Sequence, residues 1–226
     1  MPPWEDLPPT LQTEEVRPYY EALSRRGLQL WLKRLLDVVG ATVLFVLLGW
    51  LFVILALLIK LDSPGPVFFR QRRVTQFGRE FRIVKFRTMT YRSAAPGDQI
   101  TRGDDPRITR VGAVLRRYRL DEISQLIDIL RGTMSFVGTR PEVPDYVRQY
   151  TPQMRATLLL PAGVTSTASI EFKDEAQILA AAPLGQDAYV TQVLPAKMRL
   201  NLRDVRDFSI GRDLRIAFRT ILAVAT

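Results

Sequence analysis

Residues 38–59 read VVGATVLFVLLGWLFVILALLI, 22 consecutive positions without a charge. At about 1.5 Å per residue, a helix over this run reaches roughly 30 Å, the thickness of a bilayer's hydrocarbon core. A helix apolar on every side has no face to turn to water, so the run predicts a membrane-inserted helix. Arg25, Arg26, Lys33 and Arg34 precede it, and Lys60, Arg70, Arg72 and Arg73 follow. A single span is oriented by an asymmetry in such charges, because Lys and Arg favour the cytoplasmic side. Here both flanks favour that side. A helix that enters and turns back satisfies them both, and Gly49-Trp50 near the middle permits a bend without forcing one. A plain spanning helix is the alternative, and the residues leave the two open.

The 226 residues suffice for one domain of moderate size plus this anchor. Residues 1–24 carry prolines at 2, 3, 8, 9 and 18 and no apolar signal-peptide core, which reads as a poorly ordered or peripheral arm. Residues 25–61 form the inserted helix with its lead-in, and residues 62–226 a cytoplasmic domain. Asp62-Ser-Pro-Gly-Pro66 is a turn signal. A short strand at Val67-Phe68-Phe69 and an alternating stretch over residues 80–87, joined through Gly78, predict a small β-hairpin. A polar loop is expected over residues 91–106. Helical spacing then marks residues 108–118, 144–160, 174–181 and 198–205. Residues 211–222 place Arg212, Arg215 and Arg219 on one side and Leu214, Phe218, Ile221 and Leu222 on another. Such a helix lies in a membrane interface or packs on the domain with its arginines in water; the pattern fits both.

The chain contains no histidine and no cysteine. A Cys- or His-based zinc site is excluded, as is a Ser-His-Asp triad. Any chemistry falls to carboxylates, Lys, Arg, Tyr, Ser or Thr, or to a metal held by oxygen. The net charge of +9 is concentrated: residues 70–119 hold 14 basic and 4 acidic side chains, against 18 and 19 elsewhere. A basic block of that kind faces anionic lipid, nucleic acid or a phosphorylated small molecule.

Residues 116–141 read RRYRLDEISQLIDILRGTMSFVGTRP. Arg116, Arg117 and Arg119 crowd the adjacent carboxylates Asp121 and Glu122. Ile123, Leu126, Ile127 and Leu130 recur at helical spacing, Gly132 closes the helix, and Asp121 stands where an N-cap would. Helix amides and arginines keep such an aspartate ionised and favour phosphate nearby. An ionised aspartate can bind Mg²⁺ or attack phosphorus. Lys85 and Arg87 share one face of the alternating stretch, and Arg140 after Gly138 can grip phosphate through two parallel hydrogen bonds. The plainer reading of each is a cap, a solvent-facing strand residue and an arginine paired with Glu142. No P-loop, Rossmann or nucleic-acid motif is found, so nucleic acid is not an expected partner.

In order along the chain stand KRLLD, the apolar run, SPGPVFFRQRR, KFRTM, DPRITRVG, RLDEISQL and MSFVGTRPE. Together they resemble the bacterial sugar transferase family, the monotopic phosphoglycosyl transferases, from about Lys33 to the C-terminus. The resemblance implies an α+β fold, mainly helical: an inserted, re-entrant helix, a small β-hairpin and amphipathic interfacial helices around a compact cytoplasmic catalytic domain at the bacterial inner membrane. It implies transfer of a sugar 1-phosphate from a nucleotide diphosphate sugar, usually a UDP-sugar, to polyprenyl phosphate. UMP is released, and synthesis of a surface glycan or exopolysaccharide begins. By that carry-over Asp121 is the nucleophile, forms a covalent phosphosugar intermediate and touches Mg²⁺, with Glu122 assisting, for example by accepting a proton. Lys85, Arg87, Arg116 and Arg140 bind substrate. Membrane lipid is a partner, a homodimer is compatible, and the chain resembles the family's short form.

The sequence departs from the family's pattern in three places. Gly49-Trp50 stands where members commonly carry a helix-breaking Ser-Pro. Thr139 replaces the first proline of G-P-R-P. GVTSTAS replaces a G-I-T-G-W-x-Q segment. The competing reading is a non-enzymatic, membrane-anchored basic protein that binds anionic lipid or nucleic acid.

Overall fold

The computed structural model describes residues 1–90, 105–173 and 189–225. The expected helix over residues 174–181 and most of the expected loop over residues 91–106 lie outside them. The described chain is mainly helical, with two small two-stranded sheets.

Helix α1 spans Arg17–Ser24 and α2 spans Gly27–Asp62, 36 residues that contain the whole apolar run. Gly65, with φ of 123°, lies in the Ser-Pro-Gly-Pro turn beyond it. Strands β1 (Phe68–Val74) and β2 (Glu80–Phe86) pair antiparallel, Phe68 opposite Phe86 and Val74 opposite Glu80. Their turn uses Gly78 at φ 74°, a left-handed conformation that glycine adopts without steric cost. The hairpin is therefore as expected, with a longer first strand. Helix α3 (Arg110–Arg117) is capped by Thr109, whose side chain accepts from Gly112 N. A 3₁₀ turn (Leu120–Gln125) leads into α4 (Leu126–Arg131), which Gly132 ends at φ 80°. β3 (Met134–Val137) and β4 (Ala162–Thr165) pair in parallel.

The helix expected over residues 144–160 is two pieces: α5 (Pro144–Val147) and a 3₁₀ segment (Gln153–Leu159). Pro152 lies at the break, where it cannot donate a helical hydrogen bond. Then come α6 (Thr167–Glu171), α7 (Leu194–Arg206) and α8 (Ile210–Ala225). α7 starts earlier than its apolar spacing suggested, with Pro195 in the first turn, where a missing N–H costs nothing.

The N-terminal segment is not a poorly ordered arm. Leu7, Leu11, Val16 and Leu23 are buried in a core shared with Leu159, Leu202, Val205 and Phe208. Its prolines shape short 3₁₀ turns at Trp4–Asp6 and Pro9–Leu11, which set these apolar residues on one side.

Helix α2 is bonded to the domain at both ends. Near its start Lys33 Nζ donates to Val137 O at 2.8 Å and pairs with Asp213 at 2.6 Å. Arg34 donates to Ile129 O and Leu130 O, carbonyls at the end of α4, at 2.6 and 2.9 Å. The Asp37 carboxylate accepts from Phe136 N at 3.0 Å and from Ser135 Oγ at 3.1 Å. Near its end Leu55 and Ile59 pack with Phe86 and Leu115, and Asp62 accepts from Val111 N at 2.9 Å. Between these ends, residues 42–47 are all exposed. Six successive positions cover about one and two-thirds turns, so every side of the helix is free there.

α8 meets the domain through Asp213, Ile216 and Thr220. Its apolar residues Leu214, Phe218, Ile221 and Leu222 face outward instead, each more than half exposed. Packing on the domain therefore does not account for the apolar side of this helix.

Candidate active site

The carboxylate pair is held by the open edge of β2. Val84 N donates to Asp128 Oδ2 at 2.8 Å, and Val84 O accepts from Ser124 Oγ at 3.0 Å. Two side chains of the 116–141 stretch thus replace a third strand, meeting backbone groups that burial would otherwise leave unpaired. Asp128 is buried, which raises its carboxyl above the ordinary value, while the Val84 hydrogen bond opposes the shift. Asp121 is not the N-cap that the sequence suggested. Arg119 occupies that position with φ of 52°, and Asp121 sits in the first 3₁₀ turn. The left-handed residue reverses the chain after α3 and turns both carboxylates toward β2.

Glu122 is gripped by two cations. Lys85 Nζ lies 2.9 Å from Oε1. Arg140 meets the same carboxylate with both terminal nitrogens, Nη1 at 3.4 Å from Oε2 and Nη2 closer still on Oε1. Burial alone would raise the Glu122 carboxyl, but Arg140 and Lys85 outweigh it and hold it far below the usual range. Lys85 is pulled below its ordinary value, because burial and the neighbouring Arg140 exceed what Glu122 restores. Arg140, with Glu122 against it, is held firmly charged.

Asp121 is the opposite case. Among the described residues its carboxylate has no ion-pair partner. Burial raises its value, Lys85 and Arg116 pull it down from a distance, and Glu122 pushes it up. Adjacent carboxylates with environments that separate their affinities for protons mark sites of divided roles.

Arg140 reaches the pair from the loop after β3. Gly138 does not make a left-handed turn there. Its backbone lies against Gly163 of β4, where an added Cβ would come within 2.6 Å of Pro161 O. Gly138 N donates to Thr165 O and Gly163 N to Thr139 O, both at 2.9 Å. The glycine therefore serves a close strand crossing, and Thr139 in place of proline leaves the path to Arg140 intact. In place of the plainer pairing with Glu142, Arg140 meets Glu122.

The structure brings Asp121, Glu122, Lys85 and Arg140 together, with Arg116 half-buried nearby. Arg87 is elsewhere. It is 4% exposed and donates to Ser63 O at 2.7 Å, to Ile59 O at 3.3 Å and to Pro64 O. β2 ends at Phe86, so the strand alternation that put Arg87 beside Lys85 no longer applies; Arg87 instead caps α2. Lys33, Arg34 and Asp37 also hold α2 in place. The sequence signal for them was three charges at the border of an apolar run, where only buried partners justify charge.

A cavity of about 460 Å³ joins α2 to this site. Leu44 and Leu48 of the free middle of α2 form one wall, Phe136 and Val164 another, and Arg119 and Glu122 the polar end. Among the described residues no group of three carboxylates exists to cage a metal ion. Mg²⁺, however, is commonly held by one or two carboxylates together with substrate phosphates, and Asp121 offers one carboxylate that no cation occupies. The residues fit that mode.

A sequence model of the bacterial sugar transferase family matches residues 28–226. Over 225 residues the chain is 36% identical to a UDP-glucose:undecaprenyl-phosphate glucose-1-phosphate transferase of Caulobacter vibrioides, covering 98% of this chain and 79% of that protein. It is 34% identical over 199 residues to a UDP-N-acetylgalactosamine-undecaprenyl-phosphate N-acetylgalactosaminephosphotransferase of Aeromonas hydrophila, covering 87% of this chain but 44% of that longer protein. An exopolysaccharide production protein of Rhizobium meliloti, ExoY, is 33% identical over 207 residues, with 85% and 84% covered.

Proposed function

The chain belongs to the bacterial sugar transferase family and is a polyprenyl-phosphate phosphoglycosyl transferase; on that premise we propose that it moves a sugar 1-phosphate from a UDP-sugar to undecaprenyl phosphate through a covalent intermediate on Asp121. The observation that carries the reading is the Asp121 carboxylate, unpaired among the described residues, in a basic pocket whose nearest described cations are already committed to Glu122. A nucleophile tied up in an ion pair must first break it; among the described residues no cation ties up this one.

A carboxylate oxygen of Asp121 attacks the phosphorus that bears the sugar. The bond from that phosphorus to the bridging oxygen breaks, and UMP leaves with the electron pair. The result is an acyl phosphate carrying the sugar. An oxygen of polyprenyl phosphate then attacks the same phosphorus, Asp121 departs as a carboxylate, and a polyprenyl-diphospho-sugar forms. The order is ping-pong.

Glu122 is so strongly acidic in this setting that it is a poor proton acceptor. Its role is to anchor Lys85 and Arg140 at the edge of the reacting diphosphate, where fixed positive charge stabilises the developing negative charge. Asp121 is the residue that would hold Mg²⁺, which when bound supplies further charge neutralisation at the diphosphate.

The membrane seat follows from α2. Both ends of the apolar run are bonded to one body, and only its middle is free on all sides. The helix runs unbroken from Gly27 to Asp62, without the turn expected at Gly49-Trp50, so it seats on one face of the bilayer with the domain, whereas a crossing helix would carry its two bonded ends to opposite faces. The outward apolar side of α8 lies in the same interface, beside the domain's cytoplasmic position. The cavity between α2 and the carboxylates then receives the acceptor's first isoprene units, its phosphate toward Arg119.

The test is incubation with Mg²⁺, a panel of UDP-sugars and undecaprenyl phosphate, following UMP. Turnover with at least one donor is expected, with a mass increase of one sugar phosphate on Asp121 when donor alone is given. Full activity of Asp121→Asn would overturn the assignment.

A further inference from the structure

Behind Arg140 lies a second set of buried charges that the reaction scheme does not use. Glu142, Tyr189 and Lys197 are 8%, 4% and 5% exposed. The Tyr189 hydroxyl donates to Glu142 Oε1. Lys197 Nζ donates to the Tyr189 hydroxyl at 3.3 Å and lies 3.6 Å from Glu142 Oε1. Tyr146 packs on the Tyr189 ring with centroids 4.8 Å apart. From β1, Arg73 Nη1 lies 3.9 Å from Glu142 Oε2 and donates to Pro141 O at 3.0 Å. Val74 N donates to Glu142 O at 3.0 Å.

Two buried ionic groups, a tyrosine hydroxyl and a half-buried arginine are costly to desolvate, and ordinary packing would do better with apolar side chains. All of them converge on one feature, the two residues that follow Arg140. Arg73 and Val74 fix the backbone of Pro141 and Glu142, and Lys197 of α7, with Tyr189 of the Tyr189–Val193 turn before it, fixes the Glu142 side chain. What the cluster constrains is therefore the direction from which Arg140 approaches the carboxylate pair. Arg140 has both carboxylates within electrostatic reach and rests on Glu122.

We propose that Glu142, clamped by Lys197 and Tyr189, is a positioning residue that directs Arg140 to Glu122 and thereby keeps Asp121 free of an ion pair. The proposal rests on the reading of Asp121 as the attacking group. Without the clamp, Arg140 is free to settle on Asp121 instead, and the nucleophile becomes a salt-bridged carboxylate. The groups facing Glu142 are Arg73, Arg140, Tyr189, Lys197 and, more distantly, Tyr150. Those facing Asp121 are Lys85, Arg116, Glu122 and Arg140.

A double-mutant cycle on the full chain in detergent tests this, reading the burst of UMP from donor alone. Glu142→Gln is expected to slow the burst at least tenfold in the native background. In an Arg140→Ala background the same change should cost less than twofold, because no arginine remains to misdirect. Lys197→Arg should retain a rate within threefold of native. Equal losses in both backgrounds would overturn the proposal and assign the cluster to packing alone. Should Glu142→Gln fail to fold, Tyr189→Phe removes only a hydroxyl and is subject to the same criteria. Failure of the underlying reading is separate: it would show as a normal burst from Asp121→Asn, whatever the cycle gave.

Discussion

Glu122→Gln removes the anion that holds Lys85 and Arg140 while preserving the shape of the side chain. The Glu122 side chain is 13% exposed, Lys85 20% and Arg140 31%. Removing one member of a buried pair costs about 3–5 kcal/mol, because the remaining charge stays desolvated. Arg140 has access to water for nearly a third of its side chain, so the lower end, about 3 kcal/mol, is the expectation. Against a total of about 5–15 kcal/mol for a domain, that loss is easily measured by urea unfolding of the detergent-solubilised protein. Its pH dependence is the sharper check. The Glu122 carboxyl is depressed in the folded state relative to about 4.3 when unfolded. Its stabilisation is therefore complete above that value and fades as pH falls toward the folded one. The gap between native and variant should be constant from pH 7 to 5 and shrink by roughly 1.4 kcal/mol per pH unit below about 4. A gap under 1 kcal/mol at pH 7, or one unchanged at pH 3, would refute the claim that Glu122 anchors these cations.

Three further outcomes are expected. Burial lowers Lys85, so UMP release should decline on the alkaline side below the ordinary lysine value of about 10.4, and Lys85→Arg should move that limb upward; a limb that stays put argues against Lys85 as a working charge. Arg87→Met leaves the carbonyls of Ser63 and Pro64 without the Arg87 donor, while Ile59 O keeps Ser63 N, and should destabilise by about 2–3 kcal/mol with an unchanged KM for donor, whereas a selective rise in that KM would return Arg87 to the substrate site. Single cysteines introduced at the exposed positions Ser24 and Lys60 should both react with an impermeant thiol reagent from the same side of sealed vesicles, and reaction from opposite sides would establish a spanning helix.

The parts of this protein legible in its sequence are those carried by local pattern. Gly78 marked the hairpin turn, Gly132 the end of α4, and alternation over residues 80–87 the second strand. The pairing of Lys85 with Glu122 was not legible, since 37 positions separate them and no local rule joins a strand to a 3₁₀ turn. Arg87 misled for a related reason: alternation predicts direction only while the strand lasts, and β2 ends one residue earlier. The N-terminal segment misled through composition. Proline and acid content resemble an arm, but Leu7, Leu11, Val16 and Leu23 find a core whose other half lies beyond residue 155.

Adjacent carboxylates in a sequence are symmetrical candidates, and the fold is what makes them unequal. Glu122 and Asp121 lie in one turn, within reach of the same cations. The difference arises because β2 presents Lys85 and the Gly138–Gly163 crossing presents Arg140 to the same side of that turn. Both cations then spend their charge on Glu122, and their remaining field is felt by Asp121 only at a distance. An aspartate so placed keeps the raised proton affinity that burial gives it, and with it the nucleophilicity that a salt-bridged carboxylate gives up. On the proposed reaction the same cations stand beside the site of attack, so the geometry that leaves Asp121 uncaptured would also supply the charge that the reaction develops against. Moving Arg140 by a few ångströms would reverse both effects at once, and for that reason the segment that carries it is pinned by backbone and side-chain bonds from β1 and α7.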